Sequence, residues 1–202
     1  MTLIDEIVVR HLGRADYQPT WQAMRELTRA RTETTPDEIW LLEHPPVYTL
    51  GQGAVAASVA NGIPVVQSDR GGEITYHGPG QAVLYALVDL ARRDIKVKRF
   101  VWLLEQAVID LIGPRAERRA GAPGVYVDGA KIAALGIRVT RGRAYHGVAL
   151  NVDMDLAPFS AIDPCGYPGL AVTQARDLGI AGSAAELGER LAQSLMRRLG
   201  DA

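Results

Sequence analysis

Between residues 38 and 152 the sequence reads as a succession of short strands punctuated by glycine and proline, with one helix among them. Residues 38–50 read as two strand pieces broken at His44-Pro45-Pro46, because proline withholds a ladder donor. Residues 64–68, 74–77 and 81–90 are further strand candidates. Asp128-Gly129, between residues 125–127 and 131–139, is a tight hairpin signal, and residues 145–152 follow as another strand. The intervening helix spans residues 97–112, with Val97, Phe100, Val101, Leu104, Val108 and Leu111 on one face and Gly113-Pro114 as its stop. Too few helices separate these strands for a doubly wound parallel sheet, so the pattern predicts an α+β fold, a mixed β-sheet with packed helices.

The flanks add a strand at residues 4–12 and a helix at residues 14–31. That helix carries Tyr17, Trp21, Met24 and Leu27 on one face and Pro19 in its first turns. A last helix opens at Ser183-Ala184-Ala185-Glu186, which has the spacing of a capping box. Nothing reads as a repeat or linker. Residues 1–202 suit one domain, and a small C-terminal lobe after about residue 155 stays open. Nearly half the chain is apolar, enough to bury a core without metals or disulfides. The formal charge of −1 gives no global signal for nucleic acid or membrane, and stacking aromatics are sparse among the basic residues. The first twelve residues are short and acidic for a secretory signal, and no apolar run approaches the ~20 residues of a span. A soluble cytoplasmic protein is the expectation.

Cys165 is the only cysteine, and it sits in Asp163-Pro164-Cys165-Gly166-Tyr167-Pro168-Gly169. A structural cysteine normally lies in an apolar run, whereas two prolines and two glycines present this thiol on a rigid loop. Position alone leaves a nucleophile and an incidental thiol both open. Residues 70–81 pack four glycines and a proline around Arg70, Tyr76, His77 and Gln81. Such a segment can approach a ligand closely and hold an oxyanion on backbone N–H groups, so a lined pocket is the favoured reading over a plain glycine-rich connection. Its spacing matches neither a Walker loop nor a dinucleotide fingerprint.

Lys131 heads the apolar strand Ile132-Ala133-Ala134-Leu135-Gly136-Ile137. Desolvation there would favour its neutral form, able to take a proton from a thiol. Read alone, the residue is equally an exposed edge lysine guarding against strand pairing, and that plainer role is preferred at this point. His77 and His146 are rival bases for Cys165; His44, before two prolines, reads as a loop or core histidine, and no two histidines have helical metal spacing. Basic residues cluster at Arg92, Arg93, Lys96, Lys98 and Arg99, at Arg115, Arg118 and Arg119, and at Arg138, Arg141 and Arg143. Such runs are usually solvated; grouped on one face they would dock an acidic protein.

Taken together, five stretches resemble the lipoyl(octanoyl) transferase family: Glu43 to Gly51, Arg70 to Gln81, Gly124 to Ile137, His146 to Val152 and Pro164 to Leu170, in the family's order. The resemblance implies a biotin/lipoate protein ligase-like fold. It implies transfer of an octanoyl group from octanoyl-acyl carrier protein to a lysine of lipoyl domains, those of 2-oxo-acid dehydrogenase complexes and glycine cleavage H protein, with no cofactor. Cys165 would be the acyl acceptor and Lys131 the residue that lowers the thiol's pKa, which reverses the preference for an edge lysine. The acyl group would be held by Arg70, Gly71, Gly72, Glu73, Ile74, Thr75, Tyr76 and His77, by Ala134, Leu135 and Gly136, and by Gly147, Val148 and Ala149. Three rivals remain: an ATP-dependent ligase on the same scaffold, an acyl- or carrier-binding module without turnover, and a Cys/His hydrolase.

Overall fold

The computed structural model describes residues 7–54, 59, 61–162 and 169–201. Its largest element is a seven-stranded sheet in the order β1-β2-β6-β10-β9-β8-β7. The strands are β1 (Ile7–Arg14), β2 (Asp37–Glu43), β6 (Gln81–Asp89), β7 (Ala116–Arg118), β8 (Gly124–Val127), β9 (Ala130–Thr140) and β10 (Arg143–Asn151). β1 runs parallel to β2, and the other pairings are antiparallel, so the sheet is mixed. A second sheet has the order β4-β3-β5, from β3 (Val47–Leu50), β4 (Val65–Gln67) and β5 (Ile74–His77). Three α-helices are found among the described residues: α1 (Tyr17–Ala30), α2 (Val97–Ile112) and α3 (Ala184–Gly200).

β6 lies between β2 and β10 and is buried along all nine residues. Alternation then divides its side chains between two layers. Ala82, Leu84, Ala86 and Val88 join the core formed with α2 and α3, which contribute Phe100, Leu104, Leu187, Leu191 and Leu195. Val83, Tyr85 and Leu87 face the other way, into a cluster with Tyr17 and Met24 of α1. A third cluster, Tyr48, Tyr76, Met154 and Phe159, packs the small sheet against the short 3₁₀ turn Ala157–Ala161.

Most predicted elements appear within a residue or two of their expected limits. Val97 departs from its assignment to the buried face of α2: it sits in the first turn and is 47% exposed, beyond the edge of the core. β7 was not anticipated, because three residues are too few to show a period. The break at Pro45-Pro46 does more than interrupt a strand. It carries β3 out of the large sheet and into the small one, which opens a space between the two.

Candidate active site

The space between the two sheets is a pocket of about 730 Å³, its open mouth included. One wall is the large sheet, through Val83 and Tyr85 of β6, Lys131 and residues 134–136 of β9, and residues 146–149 and Asn151 of β10. The opposite wall is the glycine-rich segment and β5, through residue 70, residues 72–75 and His77. Tyr17, Phe159 and Val172 complete it.

An irregularity in β9 decides where Lys131 points. Val125 pairs with Ala133 and Tyr126 with Lys131, so β9 advances two residues while β8 advances one, and Ile132 is the extra residue of a β-bulge. In a regular strand, residues 131 and 134 would face opposite sides. With the bulge, Ile132 and Ala133 both enter the α2–α3 core, while Lys131 lines the pocket beside Ala134 and Gly136. Lys131 is 4% exposed and its Nζ lies 5.2 Å from the centre of the Tyr126 ring. Gly124 keeps that space open, since a Cβ there would come within 3.3 Å of Lys131 Cε and 2.6 Å of the Ala133 carbonyl oxygen. β9 is an interior strand, so the reading of Lys131 as an exposed edge guard does not hold.

The main chain of Lys131 is also paired. Its N–H donates to Ala171 O at 2.8 Å, and Thr173 N–H donates to Lys131 O at 3.0 Å. Asn151 Nδ2 donates to Thr173 O, and Ala175 N–H to Asn151 O, so residues 171–175 are laced to both β9 and β10. Cys165 lies outside the described residues, but the chain on both sides of it borders the pocket, through Phe159 and Val172.

The glycine-rich segment crosses β9 at Gly136. Gly71 N–H donates to Ile137 O at 2.9 Å, and a Cβ on Gly136 would stand 2.8 Å from Gly71 O. Arg70 is buried and fastens the crossing: Nε and Nη2 donate to Thr49 Oγ1, and Nη1 donates to Gly71 O. Of the residues expected to hold an acyl group, the pocket gathers all but Gly71 and Tyr76. Gly71 faces the backbone of Ile137, and the Tyr76 ring packs against Tyr48 and Phe159 on the far side of β5.

His44, His77 and His146 are buried and engaged. His77 Nδ1–H donates to Gln81 Oε1 at 2.7 Å, because the Gln81 amide nitrogen is already turned to Asn151 Oδ1 and Tyr76 O. Complete burial, and then the neighbouring His44, hold its pKa well below the ordinary range. His44 donates from Nδ1 to Ala15 O at 2.6 Å and accepts from Tyr85 OH at 2.7 Å on Nε2. Burial lowers its pKa to about 4. His146 has a left-handed φ of 63°, which brings its ring onto the same side as the preceding Tyr145, stacked at 5.0 Å. Its Nε2 meets Asp69 Oδ1 at 2.8 Å, and burial lowers its pKa as well. Asp69 also accepts from Trp21 Nε1 and Tyr145 OH; burial pushes its pKa up, but these hydrogen bonds prevail and hold it at about 2.

Tyr17, Val83, Tyr85, Asn151, Phe159 and Val172 belong to the pocket but are not among the site residues the sequence suggests, Tyr17 reading only as part of the apolar face of the first helix. Tyr85 left a trace, as a hydroxyl in an otherwise apolar strand. Phe159 and Val172 left none, because only the fold brings their loops here.

The lipoyl protein ligase A/B catalytic domain family model matches residues 16–195 of this chain. The chain belongs to this family. It is 62% identical over 198 residues to an octanoyltransferase of Aromatoleum aromaticum, covering 96% of this chain and 86% of that one. An octanoyltransferase of Dechloromonas aromatica is 59% identical over 197 residues, covering 95% and 96%. The lipoyl protein ligase A/B fold is also that of solved ligases. A bipartite lipoate protein ligase of Thermoplasma acidophilum superposes with a TM-score of 0.72 at 16% identity, covering 96% of this chain and 85% of that one. Biotin protein ligase of Aquifex aeolicus, in complex with biotin and ATP, gives 0.59 at 10%, covering 96% and 71%. The expected family and α+β fold are both found, and the chain is an acyltransferase.

Proposed function

We propose that this enzyme transfers an octanoyl group from octanoyl-acyl carrier protein to a lysine of lipoyl domains, in 2-oxo-acid dehydrogenase complexes and glycine cleavage H protein. The reaction runs through a thioester on Cys165 in one catalytic domain, in the cytoplasm, where a lone thiol stays reduced. The observation that carries this reading is the bulged β9, which turns Lys131 from the core into a mainly apolar pocket and ties its backbone to the chain that follows Cys165.

In the first step the Cys165 thiol gives its proton to the Lys131 amine, and the thiolate attacks the donor's carbonyl carbon. The carrier's thiolate leaves and takes the proton back, so one thioester replaces another at little cost. In the second step the acceptor's amine attacks the Cys165 thioester, an amide forms, and the thiol is regenerated. Amide formation makes this step downhill without ATP. Burying on the order of six methylenes at ~0.8 kcal/mol each contributes about 5 kcal/mol to acyl binding. The lining that would meet such a chain includes Ile74, Val83, Leu135, Val148 and Phe159.

Intact-mass spectrometry tests the route: the enzyme is mixed with octanoyl-acyl carrier protein, without ATP, beside a Cys165→Ala control. The expected result is an octanoyl adduct on the wild type alone, discharged by a lipoyl domain. ATP-dependent octanoylation of that domain with no adduct would overturn the transferase reading in favour of a ligase.

A further inference from the structure

A second pocket opens on the other side of the glycine-rich crossing, between α1 and the β9–β10 hairpin. Its charged lining is Arg25, Arg29, Arg138, Arg141, Arg143 and Asp69, five guanidinium groups against one carboxylate. That carboxylate is already occupied by Trp21, Tyr145 and His146, and Arg25 Nε also lies 3.9 Å from it. Arg25 stacks over Trp21, Arg138 donates to Gln52 Oε1 at 2.7 Å, and Arg143 lies 3.4 Å from Asp89. Arg29 and Arg141 have no hydrogen-bond or ion-pair partner among the described residues.

The backbone under Arg141 is unusual. Arg141 and Gly142 form the two-residue turn of the β9–β10 hairpin, with φ of 50° and 77°. Such a turn favours asparagine or aspartate at its first position, and a long side chain there carries a steric cost. Arg141 therefore holds its guanidinium over the pocket from a position where a turn-forming residue would be more stable. From the helix, Arg25 and Arg29 stand four residues apart on one face and close the other side. Guanidinium forks converging from three elements match the oxygens of a phosphoryl group.

We infer that this arginine pocket is a binding site for a tetrahedral oxyanion of the phosphate or phosphodiester class. Asp69 and Arg70 are adjacent in the chain yet line different pockets, so the oxyanion site stands next to the acyl pocket. Two sources fit this chemistry: free phosphate, or a phosphoryl group carried by the acyl donor. The second source rests on the transfer reaction proposed above; the site itself does not.

Calorimetric titration with inorganic phosphate, at constant ionic strength in chloride, reads the site without turnover. The expected result is saturable binding at one site, weakened at least ten-fold in the double variant Arg29→Gln, Arg141→Gln. No saturable binding, or equal binding by wild type and variant, would overturn the inference. Kinetics then separate the sources. A rise in KM for octanoyl-acyl carrier protein, with none for a phosphate-free octanoyl thioester, assigns the site to the donor; unchanged KM for both assigns it to free phosphate. If neither donor is turned over, the transfer reading fails while the calorimetric result stands.

Discussion

The two faces of the large sheet are built from the same strands yet differ in kind. Along β6, Ala82, Leu84, Ala86 and Val88 meet α2 and α3 in a layer of hydrocarbon. One residue out of step, Val83 and Tyr85 border a pocket that also buries Arg70, His77, Lys131, His146 and Asn151. A buried polar group is costly unless it is hydrogen-bonded, and this face meets most of that demand through Thr49, Gln81, Asp69 and the segment 171–175, with His146 Nδ1 left unpartnered among the described residues. The helical face therefore supplies most of the stability, and the pocket face spends residues on an arrangement that hydrocarbon would hold more cheaply. Substitutions on the two faces should then separate into different observables.

The largest effects come from a matched pair. Leu104→Ala removes a fully buried side chain from the helical face and should cost about 2–5 kcal/mol in urea unfolding. The rate of acyl-adduct formation per folded molecule should be unchanged. Lys131→Met should do the reverse, slowing adduct formation by about 100-fold or more while destabilising the fold less than Leu104→Ala does. The comparison breaks if Leu104→Ala slows acylation as much as it destabilises, or if Lys131→Met acylates normally.

The next effect is a pH dependence confined to the pocket face. His44 is neutral in the fold, held between Ala15 O and the Tyr85 hydroxyl, with its pKa lowered by burial from 6.5 to about 4. In the unfolded chain it takes up a proton as pH falls through 6.5, and in the fold only near 4. The unfolded state thus binds more protons across this window, and stability falls as pH drops from about 7 to about 4. A displacement of this size amounts to about 3 kcal/mol. His44→Gln should make the unfolding free energy less steep between those pH values, read from urea melts at half-unit steps, while the part of the slope owed to the buried His77 and His146 persists. An unchanged slope would place the acid sensitivity of this window in His77 and His146, with Asp69 adding to it only at still lower pH.

The division between faces also accounts for what was legible in the sequence. The helical face is written in local periods: the 3.6-residue stripe of α2 and the long apolar run of β6. The Asp128-Gly129 turn and the break at Pro45-Pro46 are local signals too. The pocket face is assembled by exceptions to those periods. The bulge at Ile132, the left-handed φ of His146 and the departure of β3 into a second sheet each move a side chain to where its spacing would not put it. Motif resemblance reached Lys131 and the glycine-rich segment, because it does not depend on knowing which way a side chain points. It did not reach Phe159, Val172, or the joining of Arg25 and Arg29 to the arginines of the hairpin, which depend on long-range packing.

The smallest effect sharpens the same comparison, because it concerns a signal that is wholly local. Ser183 caps α3 through both bonds of a capping box: its Oγ accepts from Glu186 N–H, and the Glu186 carboxylate accepts from Ser183 N–H at 2.7 Å. Ser183→Ala leaves the N-terminal N–H of Glu186 to water and should cost about 1 kcal/mol. α3 touches β2 and β6 from the helical side, and its Leu187, Leu191 and Leu195 share the core with α2. If the faces are separable, the unfolding midpoint falls while the KM for octanoyl-acyl carrier protein and the rate of adduct formation stay put. A parallel loss of acylation would show that loosening α3 is felt through β6 at Val83 and Tyr85, and the sheet would then be one coupled unit rather than a partition between two kinds of face.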